Sequence, residues 1–543
     1  MPGECMELGK TSHKKNKTKR LKTIAATSLL LSTILSSSMT ALASSGVSPS
    51  KSCDSINYSP GWVTRENSKA GDPSWQDGVP HSKSGSLTGW FDQTSVACGA
   101  TVGLHLSGNN RPVNIKIFRM GFYRGTFARL VFSKNIGNVA KASEPILANN
   151  ATHLTSTNWP TTTTINVDSS YPTGIYMARF DDGGKAGYAP LVVRNDSPTP
   201  GLLIVAADIT WEAYNTWGGW SLYHGPISNH DDPGREVSFN RPYDKEGKSN
   251  FPIYDAGIVR IAESLGLSVN YTDDVYLSAN PSSILGHTAV IYDGHTEYWT
   301  ATMLTAANSA RDSGINLVFF GANSAYWRTR LQDKNRTIVV WKGSSQDPYF
   351  DNPELVTDKW GMGPEPFNQS QLLGALYGGI LAKPVGYRVQ DGDVWPIKGT
   401  GLKSGETIAG VVGKEVDSTY VGRAPVLQSF LTSEVTPVER HFAPRNVGLI
   451  YYTTSSHSGV INVSTMGWVC NITNTCSWKS TADSKTQAEV TAITEQILLA
   501  ASAGPLEITH PMVANIPAKT TLYPICIAVC PTKGVKSSSV DKH

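Results

Sequence analysis

The feature that most limits the possible folds is an alternation of short apolar runs with helix-like segments after Gly201. The first run, at 202–206, is continuously apolar, which is typical of a strand in a parallel sheet that is covered on both faces. The alternation predicts strands at 202–206, 267–271, 289–292 and 315–320, and helices at 254–265 and 303–313. We therefore predict a doubly wound α/β domain over residues 201–504.

Residues 46–198 have a different pattern, in which short segments rich in β-branched and aromatic residues are separated by clusters of Gly, Asn and Asp. The predicted strands lie at 102–106, 113–118, 165–167, 175–180 and 191–193. Strands at this spacing predict an Ig- or fibronectin-like β-sandwich domain. The sequence Arg-Met-Gly-Phe-Tyr at 119–123 is more typical of a packed turn than of a binding site. Residues 195–200 are predicted to be a linker.

The last third of the chain has weaker signals. Residues around 332–445 are rich in Gly, Pro and charge, and we interpret them as an insertion at the edge of the sheet. Segments 447–452 and 459–463 predict a hairpin, and 483–500 predicts an amphipathic helix. Residues 505–543 form a Cys-containing tail, with a Lys/Ser-rich end that is predicted to be disordered.

The N-terminal residues 1–43 have the pattern of a secretory signal peptide, with a basic stretch, an apolar stretch and a small-residue cleavage site. The apolar stretch is short and polar for a membrane span, and an uncleaved anchor is the alternative. The segment holds seven Lys or Arg and two Glu, so its removal changes the formal net charge from +3 to −2. We predict a secreted or cell-surface chain with no nucleic-acid partner and no membrane span after cleavage.

Cysteine usage agrees with export. The chain has seven cysteines, and cleavage would remove Cys5 and leave an even number, which predicts disulfides. The pairs favoured by proximity in sequence are Cys53–Cys98, Cys470–Cys476 and Cys526–Cys530. A zinc site is not indicated, because no C-x-x-C pair occurs.

Polar and aromatic residues follow several of the predicted strands. His295 and Glu297 come after 289–292 and lie two residues apart, so both side chains project from one face of an extended segment. The first predicted strand is followed by 208–220 and, in the same connection, by 238–243, and the fourth strand is followed by 321–327. We predict polar-aromatic loops at these strand ends. Because the carboxyl ends of parallel strands meet at one edge of a sheet, we expect these segments to converge on a catalytic or metal site. The alternative is that His295 caps the next helix and Glu297 lies in its first turn.

Several common catalytic sequences are absent. The chain has no G-x-S-x-G elbow, no H-E-x-x-H, no P-loop and no G-x-G-x-x-G after the first predicted strand. The position after the third strand, where some such sheets place a nucleophilic cysteine, is occupied by GHTEYW at 294–299. Acyl transfer through a Ser or Cys nucleophile is therefore not indicated.

Four short sequences together carry a family resemblance: YNTWGG at 214–219, SFNRPY at 238–243, GHTEYW at 294–299 and GANSAYWR at 321–328. In this order and spacing, and over residues of about 85 to 470, the chain resembles the large (β) subunit of N,N-dimethylformamidase and its relatives. The resemblance implies a β-sandwich ahead of a glutamine-amidotransferase-like α/β domain. It also implies hydrolysis of an amide at a mononuclear iron, which two tyrosines and a glutamate hold beside a His and an Asn.

Carried over to this sequence, the resemblance implies a set of site residues. The implied metal ligands are Tyr214, Glu297 and a second tyrosine, for which Tyr243 is preferred and Tyr254 is the alternative. The implied catalytic residues are His295, as a base or hydrogen-bond partner, and Asn323, as a donor to the oxyanion. Phenolate and carboxylate oxygens suit ferric iron, although a half-buried tyrosine with a satisfied hydroxyl is the alternative for each phenol. A later acidic residue of the family has no clear match.

Two functions remain open from the sequence. The first is an exported iron-dependent hydrolase that acts on a C–N bond, with a small-molecule or cell-envelope amide as substrate. The second is a secreted carbohydrate- or cell-surface-polymer-binding protein on a degenerate enzyme scaffold, in which tryptophans stack on sugars. The tryptophans in question are Trp211, Trp217, Trp220, Trp299 and Trp327. Homo-oligomer formation and the need for a small subunit are open as well.

Overall fold

The structure is a computed structural model, and it describes residues 53–76, 86–149, 151–197, 200–226, 232–362, 366–419, 423–439, 444–476, 478 and 482–518. The predicted targeting segment at 1–43 and the predicted pair Cys526–Cys530 lie outside the described residues. The other two predicted disulfides, Cys53–Cys98 and Cys470–Cys476, are present. Among the residues described, no helix is long and apolar enough to cross a membrane.

The described residues before 198 form mainly strands, as their sequence predicts. Its elements are α1 (Trp62–Asn67), β1 (Thr88–Phe91), β2 (Ser95–Ala97), β3 (Thr101–Ser107), β4 (Arg111–Met120), β5 (Ala128–Val139), β6 (Ile146–Asn149), β7 (Leu154–Ser156), β8 (Thr163–Asn166), β9 (Gly174–Asp181) and β10 (Ala186–Arg194). One sheet has the order β1-β3-β8, and a second has the order β2-β10-β9-β4-β5. Strands β6 and β7 pair separately.

The second of these sheets is covered on both faces, because successive side chains of a strand point in opposite directions. In β4, Val113, Ile115 and Ile117 pack into a core shared with β1 and β3. Phe118 and Met120 pack instead into a core shared with the later part of the chain. Strands β9 and β10 divide their side chains in the same way. This two-sided packing explains why β9 is buried along nearly its whole length.

The part of the chain after residue 200 contains the predicted alternation of strands and helices. Its elements are β11 (Leu202–Ala206), α2 (Asp208–Ala213), β12 (Glu236–Ser238), α3 (Phe251–Tyr254), α4 (Ala256–Ser264), β13 (Val269–Asp273), α5 (Asp274–Ala279), β14 (Ala289–Gly294), β15 (Tyr298–Thr300), α6 (Ala301–Asp312), β16 (Asn316–Gly321), β17 (Trp327–Gln332), β18 (Thr337–Val339), β19 (Asp358–Lys359), α7 (Ser370–Leu373), β20 (Leu376–Ile380), β21 (Val385–Val389), β22 (Thr407–Val412), β23 (Glu415–Ser418), β24 (Gln428–Val435), β25 (Arg445–Thr453), β26 (Gly459–Asn462), α8 (Gly467–Thr473), α9 (Ser484–Ala503) and α10 (Leu506–Thr509).

The main sheet has the order β13-β11-β14-β16-β26-β25-β24-β21-β22. The strands from β13 to β26 pair in parallel, whereas those from β26 to β22 pair antiparallel. Strands β25 and β26 form the predicted hairpin, and β26 joins the parallel half beside β16. The region 332–445 supplies β21, β22 and β24, so it extends the main sheet at one edge.

The segment 208–220 differs in part from the sequence prediction of a loop. Its first residues form the short helix α2, whose Ile209 and Ala213 pack in a buried core. Helix α2 can form because its residues include neither Gly nor Pro, and the helix ends before Gly218 and Gly219.

A smaller sheet close to α2 has the order β12-β18-β17-β15, with β19 paired to β17.

A buried ion pair joins the strand-rich part to the α/β part. Arg119, at the end of β4, donates to Glu263 of α4 at 2.6 Å, and both side chains are fully buried. Arg119 also donates to Tyr123 at 2.9 Å, so the Arg-Met-Gly-Phe-Tyr sequence is a packed turn. The described residues thus form a mixed α/β fold with strands in several sheets.

Candidate active site

Glu297 lies where two phenols meet, in the connection between β14 and β15. Tyr214 Oη donates to Glu297 Oε2 at 2.6 Å, and Tyr223 Oη donates to Glu297 Oε1. The two phenol rings stack with centroids 4.8 Å apart. The Glu297 side chain is 1% exposed. One buried carboxylate is therefore held on both of its oxygens by phenol groups.

His295 is in contact with the same group of side chains. Its Nε2 lies 3.1 Å from Tyr214 Oη and 3.3 Å from Glu297 Oε2, as expected for residues two apart on one face of an extended segment. Burial acts to lower the pKa of His295, but the hydrogen bond to Glu297 and the charge of Glu415 raise it to about 9. Helix α6 is capped by Thr300, whose Oγ1 accepts from the Met303 amide, so His295 is not its cap.

Asn323 brings two further carboxyl groups to the site. It has a left-handed backbone with φ of 58°, and its N–H donates to Asp417 Oδ1 at 2.7 Å. Its Nδ2 donates to Glu415 Oε2 at 2.7 Å. Burial raises the pKa of Asp417 to about 6, and burial also raises the pKa of Glu415. Because Glu415 interacts electrostatically with both His295 and Glu297, it belongs to the same site.

Two glycines allow the ends of β14 and β16 to approach closely. Gly294 pairs with Gly321, and a Cβ added to Gly321 would lie 1.6 Å from the Gly294 carbonyl oxygen. Gly294 has φ of +47°, and a Cβ there would lie 2.3 Å from Tyr254 Cβ. The backbone that leads into His295 therefore requires glycine at both positions.

Hydrogen bonds join the GHTEYW sequence to the GANSAYWR sequence and to helix α2. The Glu297 carbonyl accepts from the amides of Tyr326 and Trp327 at 2.9 and 3.0 Å. Thr210 of α2 accepts from the Glu297 amide through its hydroxyl at 3.0 Å. These bonds fix the backbone of Glu297 relative to both α2 and the segment after β16.

A half-buried lysine, whose Nζ is buried, lies against one of the phenols. Lys342 Nζ is 3.2 Å from the centroid of the Tyr223 ring, and the Trp327 ring is 4.9 Å away. Trp327 Nε1 donates to Tyr223 Oη at 3.1 Å. Burial lowers the pKa of Lys342 to about 7, although the charge of Glu297 acts in the opposite direction.

The two tyrosines considered in the sequence analysis as the second phenol lie in different places. Tyr254 is next to the site, with its ring centroid 5.9 Å from that of His295. Tyr243 lines a separate cavity with residues of β1, β10 and α2, and the charged groups that act on it are Glu212, Asp208, Arg336 and Arg241. The structure brings Tyr223, and not the preferred Tyr243, to Glu297 beside Tyr214.

Sequence reasoning missed Tyr223, Glu415, Asp417 and Lys342. Glu415 and Asp417 have a usable signal, because two acids two residues apart in a strand project from one face. Tyr223 and Lys342 have no such signal, since a loop and a long-range packing contact bring them to the site.

Most of the tryptophans that could have bound a sugar are buried. Trp211, Trp217, Trp299 and Trp327 are between 0 and 8% exposed. A sugar stacks on the open face of an aromatic ring, so these rings offer little surface for such binding.

Comparison with known proteins identifies the family of this chain. A sequence model described as N,N-dimethylformamidase beta subunit-like, C-terminal, matches residues 114–479, which is more than half of the chain. The chain belongs to this family. The matched region includes Tyr214, Tyr223, His295, Glu297, Asn323 and Glu415.

The other comparisons add nothing to that assignment. A comparison with curated proteins found no match. Among solved structures, the sulfur carrier protein SoxY from Chlorobium limicola f thiosulfatophilum is 15% identical, with a TM-score of 0.13, and the match covers 22% of this chain and 87% of that one. Domain 1 of VCBP3 from Branchiostoma floridae is 17% identical, with a TM-score of 0.13, and the match covers 21% and 96% of the two chains.

The donor set at Glu297 fits a hard metal ion. Among the described residues, no three His, Cys, Asp or Glu side chains form a metal-binding group. A metal at this site would therefore depend on the phenols of Tyr214 and Tyr223 together with Glu297. Phenolate and carboxylate oxygens are ligands that suit ferric iron.

Proposed function

We propose that this chain is an iron-dependent hydrolase of a C–N bond, with an amide as its substrate. The observation that carries the proposal is the contact of one buried carboxylate, Glu297, with the two phenols of Tyr214 and Tyr223. Membership of the dimethylformamidase-like family supports amide hydrolysis as the reaction class. In this proposal Tyr223 takes the place for which Tyr243 and Tyr254 were considered.

The metal site would consist of Tyr214, Tyr223 and Glu297. Three protein ligands leave coordination positions free for water and substrate. A bound ferric ion would supply Lewis acidity, which polarises the amide carbonyl and lowers the pKa of a bound water. For each phenol to become a ligand, it must give up the proton that it now donates to Glu297.

The remaining site residues would hold and move protons. In the metal-free chain His295 is protonated near neutral pH, because its pKa is about 9. A cation held by Tyr214 and Glu297, next to His295 Nε2, would lower that pKa, and the neutral imidazole could then accept a proton from the attacking water. The second amide hydrogen of Asn323 can donate to the developing oxyanion, while the first is bonded to Glu415. Glu415 can deliver a proton to the leaving amine. Water adds its oxygen to the carbonyl carbon, the C–N bond breaks, and the products are a carboxylic acid and an amine.

We extend the proposal to the fold class of each domain and to the export of the chain. We infer an Ig- or fibronectin-like sandwich over residues 46–198, a glutamine-amidotransferase-like domain over 201–504 and a signal peptide at 1–43. The first of these is supported by two sheets, β1-β3-β8 and β2-β10-β9-β4-β5, which pack around one hydrophobic core. The disulfides Cys53–Cys98 and Cys470–Cys476 are compatible with export. An exported enzyme would act on a cell-envelope or extracellular amide.

The proposed function is tested by metal content and visible absorption of the purified chain, with Glu297→Ala measured in parallel. We expect about one iron per chain and a tyrosinate-to-iron charge-transfer band, and we expect the mutant to lose both, because Glu297 contacts both phenols. Glu144→Ala is the matched control, since Glu144 is an exposed carboxylate paired with Lys141. A wild-type chain without metal above background, after growth with iron, would refute the proposal. A chain that binds iron would then be screened against small and peptide-like amides.

A further inference from the structure

A second buried ion pair lies directly behind the loop that carries both phenols. Arg241 Nε donates to Glu212 Oε1 at 2.6 Å, and the two side chains are 0% and 1% exposed. Glu212 is near the end of α2, two residues before Tyr214. Arg241 comes from the SFNRPY sequence after β12. The ion pair therefore connects α2 with a segment that is distant in sequence.

Arg241 also binds the loop through its remaining N–H groups. Nη2 donates to the Asn215 carbonyl at 3.0 Å, and Nη1 donates to the carbonyls of Trp217 and Trp220 at 2.9 and 2.8 Å. These carbonyls are spread along residues 214–223, the stretch between the two phenols. Because the guanidinium is planar and its N–H directions are fixed, one side chain sets the path of this loop.

Asn215 holds the same loop from within. Its Oδ1 accepts from the amides of Trp217 and Asp244 at 3.0 and 2.9 Å, and its Nδ2 donates to Glu212 and to the Pro242 carbonyl. The loop amides are bonded as well, because the Leu222 amide donates to the Ala213 carbonyl at 2.9 Å. Such bonds protect amide hydrogens from exchange with solvent as long as the loop keeps this path.

We propose that Glu212 and Arg241 are positioning residues, which hold the loop of residues 214–223 so that the phenols of Tyr214 and Tyr223 both reach Glu297. Neither residue hydrogen-bonds to Glu297, so both act through the loop. The expected effect on iron binding rests on the proposed function. The expected effect on the path of the loop does not. Lysine cannot replace Arg241, because a single ammonium group cannot reach Glu212 and the spread carbonyls together.

The structure offers a matched control. Arg119 and Glu263 form another ion pair, with the same N–O distance of 2.6 Å and with both side chains 0% exposed. The contacts of Arg119 are with Tyr123, Met120, Thr173 and Glu263, away from the loop of residues 214–223. Arg119→Lys therefore makes the same chemical change in an equally buried pair at a different place.

The experiment compares Arg241→Lys, Glu212→Gln and Arg119→Lys with the wild-type full-length chain. Hydrogen exchange measured by mass spectrometry on the metal-free protein reports on residues 214–223. Chelator competition and the charge-transfer band report on iron binding. We expect the first two variants to exchange faster in residues 214–223 and to bind iron about 10- to 100-fold more weakly, as is usual when a partner behind a metal ligand is lost. We expect Arg119→Lys to lower the free energy of unfolding but to leave loop exchange and iron affinity at wild-type values.

Unchanged exchange in residues 214–223 in both Arg241→Lys and Glu212→Gln would overturn the inference. The same holds if Arg119→Lys changes loop exchange and iron affinity as much as Arg241→Lys does. If Arg241→Lys does not fold, Glu212→Gln decides, because it keeps the hydrogen-bond acceptor and removes the charge. If the wild-type chain binds no iron, the proposed function fails, and the exchange measurement still decides this inference.

Discussion

At the scale of single residues, Tyr223 reaches Glu297 because the chain turns back on itself after Tyr214. Gly218 and Gly219 have left-handed φ values of +80° and +107°, which side chains with a Cβ rarely adopt. The resulting turn brings the end of the loop beside the end of α2, so the two phenol rings stack. Each phenol then faces a different oxygen of one carboxylate. The proposed metal site rests on this arrangement of the two phenols.

The choice of the second phenol is testable by a pair of single-atom deletions. We expect Tyr223→Phe to lower iron affinity by at least about 100-fold, because it removes a proposed ligand, whereas losing a residue behind a ligand already lowers affinity by about 10- to 100-fold. Tyr243→Phe should leave affinity and the charge-transfer band unchanged, since Tyr243 lines a separate cavity and its hydroxyl does not bond to Glu297 among the described contacts. Chelator competition and the visible spectrum measure both. A band that survives in Tyr223→Phe but disappears in Tyr243→Phe would show that the phenols are assigned wrongly.

At the scale of elements, the sequence predicts those parts of the site that depend on local periodicity. Strands β11, β14 and β16 contain continuous apolar runs, and the spacing of His295 and Glu297 places both side chains on one face. Strand β23 is harder to predict, because it pairs with β20 in a region rich in Gly, Pro and charge. Tyr223 was not predictable, since no periodicity applies to a loop whose path is set by Arg241. The edge of the sheet that carries the site could thus be located from the sequence. Of the proposed metal ligands, the sequence identified Tyr214 and Glu297 but not Tyr223.

Because β14 and β16 approach closely, we predict that adding one methyl group at Gly321 lowers the stability of the chain strongly. Gly321→Ala should lower the free energy of unfolding by about 3 kcal/mol, because its Cβ would lie 1.6 Å from a carbonyl oxygen that cannot rotate away. Gly137→Ala in β5 is the control, since a Cβ there would meet nothing within 4 Å, and we expect a change within about 0.5 kcal/mol. Urea unfolding at neutral pH measures both values. A Gly321→Ala chain as stable as wild type would mean that β14 and β16 are not this close.

At the scale of the whole molecule, one network of charged side chains joins the strand-rich part, α1 and α4. Glu66 of α1 accepts from Arg129 at 2.6 Å and from Tyr123 at 2.8 Å, and Arg119 of the same network pairs with Glu263. Burial acts to raise the pKa of Glu66, but the charges of Arg119 and Arg129 lower it to about 2. Because the network crosses between parts that also share a hydrophobic core, its protonation affects the stability of the chain as a whole.

The shifted pKa of Glu66 predicts a specific loss of stability in acid. A carboxyl group whose pKa is lower in the folded state than its ordinary value of 4.5 stabilises the protein above that value. The stabilisation is lost as the pH falls toward 2, and a shift of this size corresponds to about 3 kcal/mol. We therefore expect the stability difference between wild type and Glu66→Gln to shrink by about 3 kcal/mol between about pH 5 and pH 2.

The comparison with Glu66→Gln is needed because other buried carboxyl groups change the free energy of unfolding in the opposite direction as the pH falls. Burial raises the pKa of Asp208, Asp255, Asp274 and Asp293 well above the ordinary value. Their contribution favours the folded state in acid and is lost as the pH rises, so it partly masks the effect of Glu66 in wild type. It is present in both proteins and cancels in the difference. Urea unfolding over this pH range measures that difference, with Glu144→Gln as a control at an exposed ion pair. A difference that stays constant with pH would mean that Arg119 and Arg129 do not hold Glu66 in its charged form.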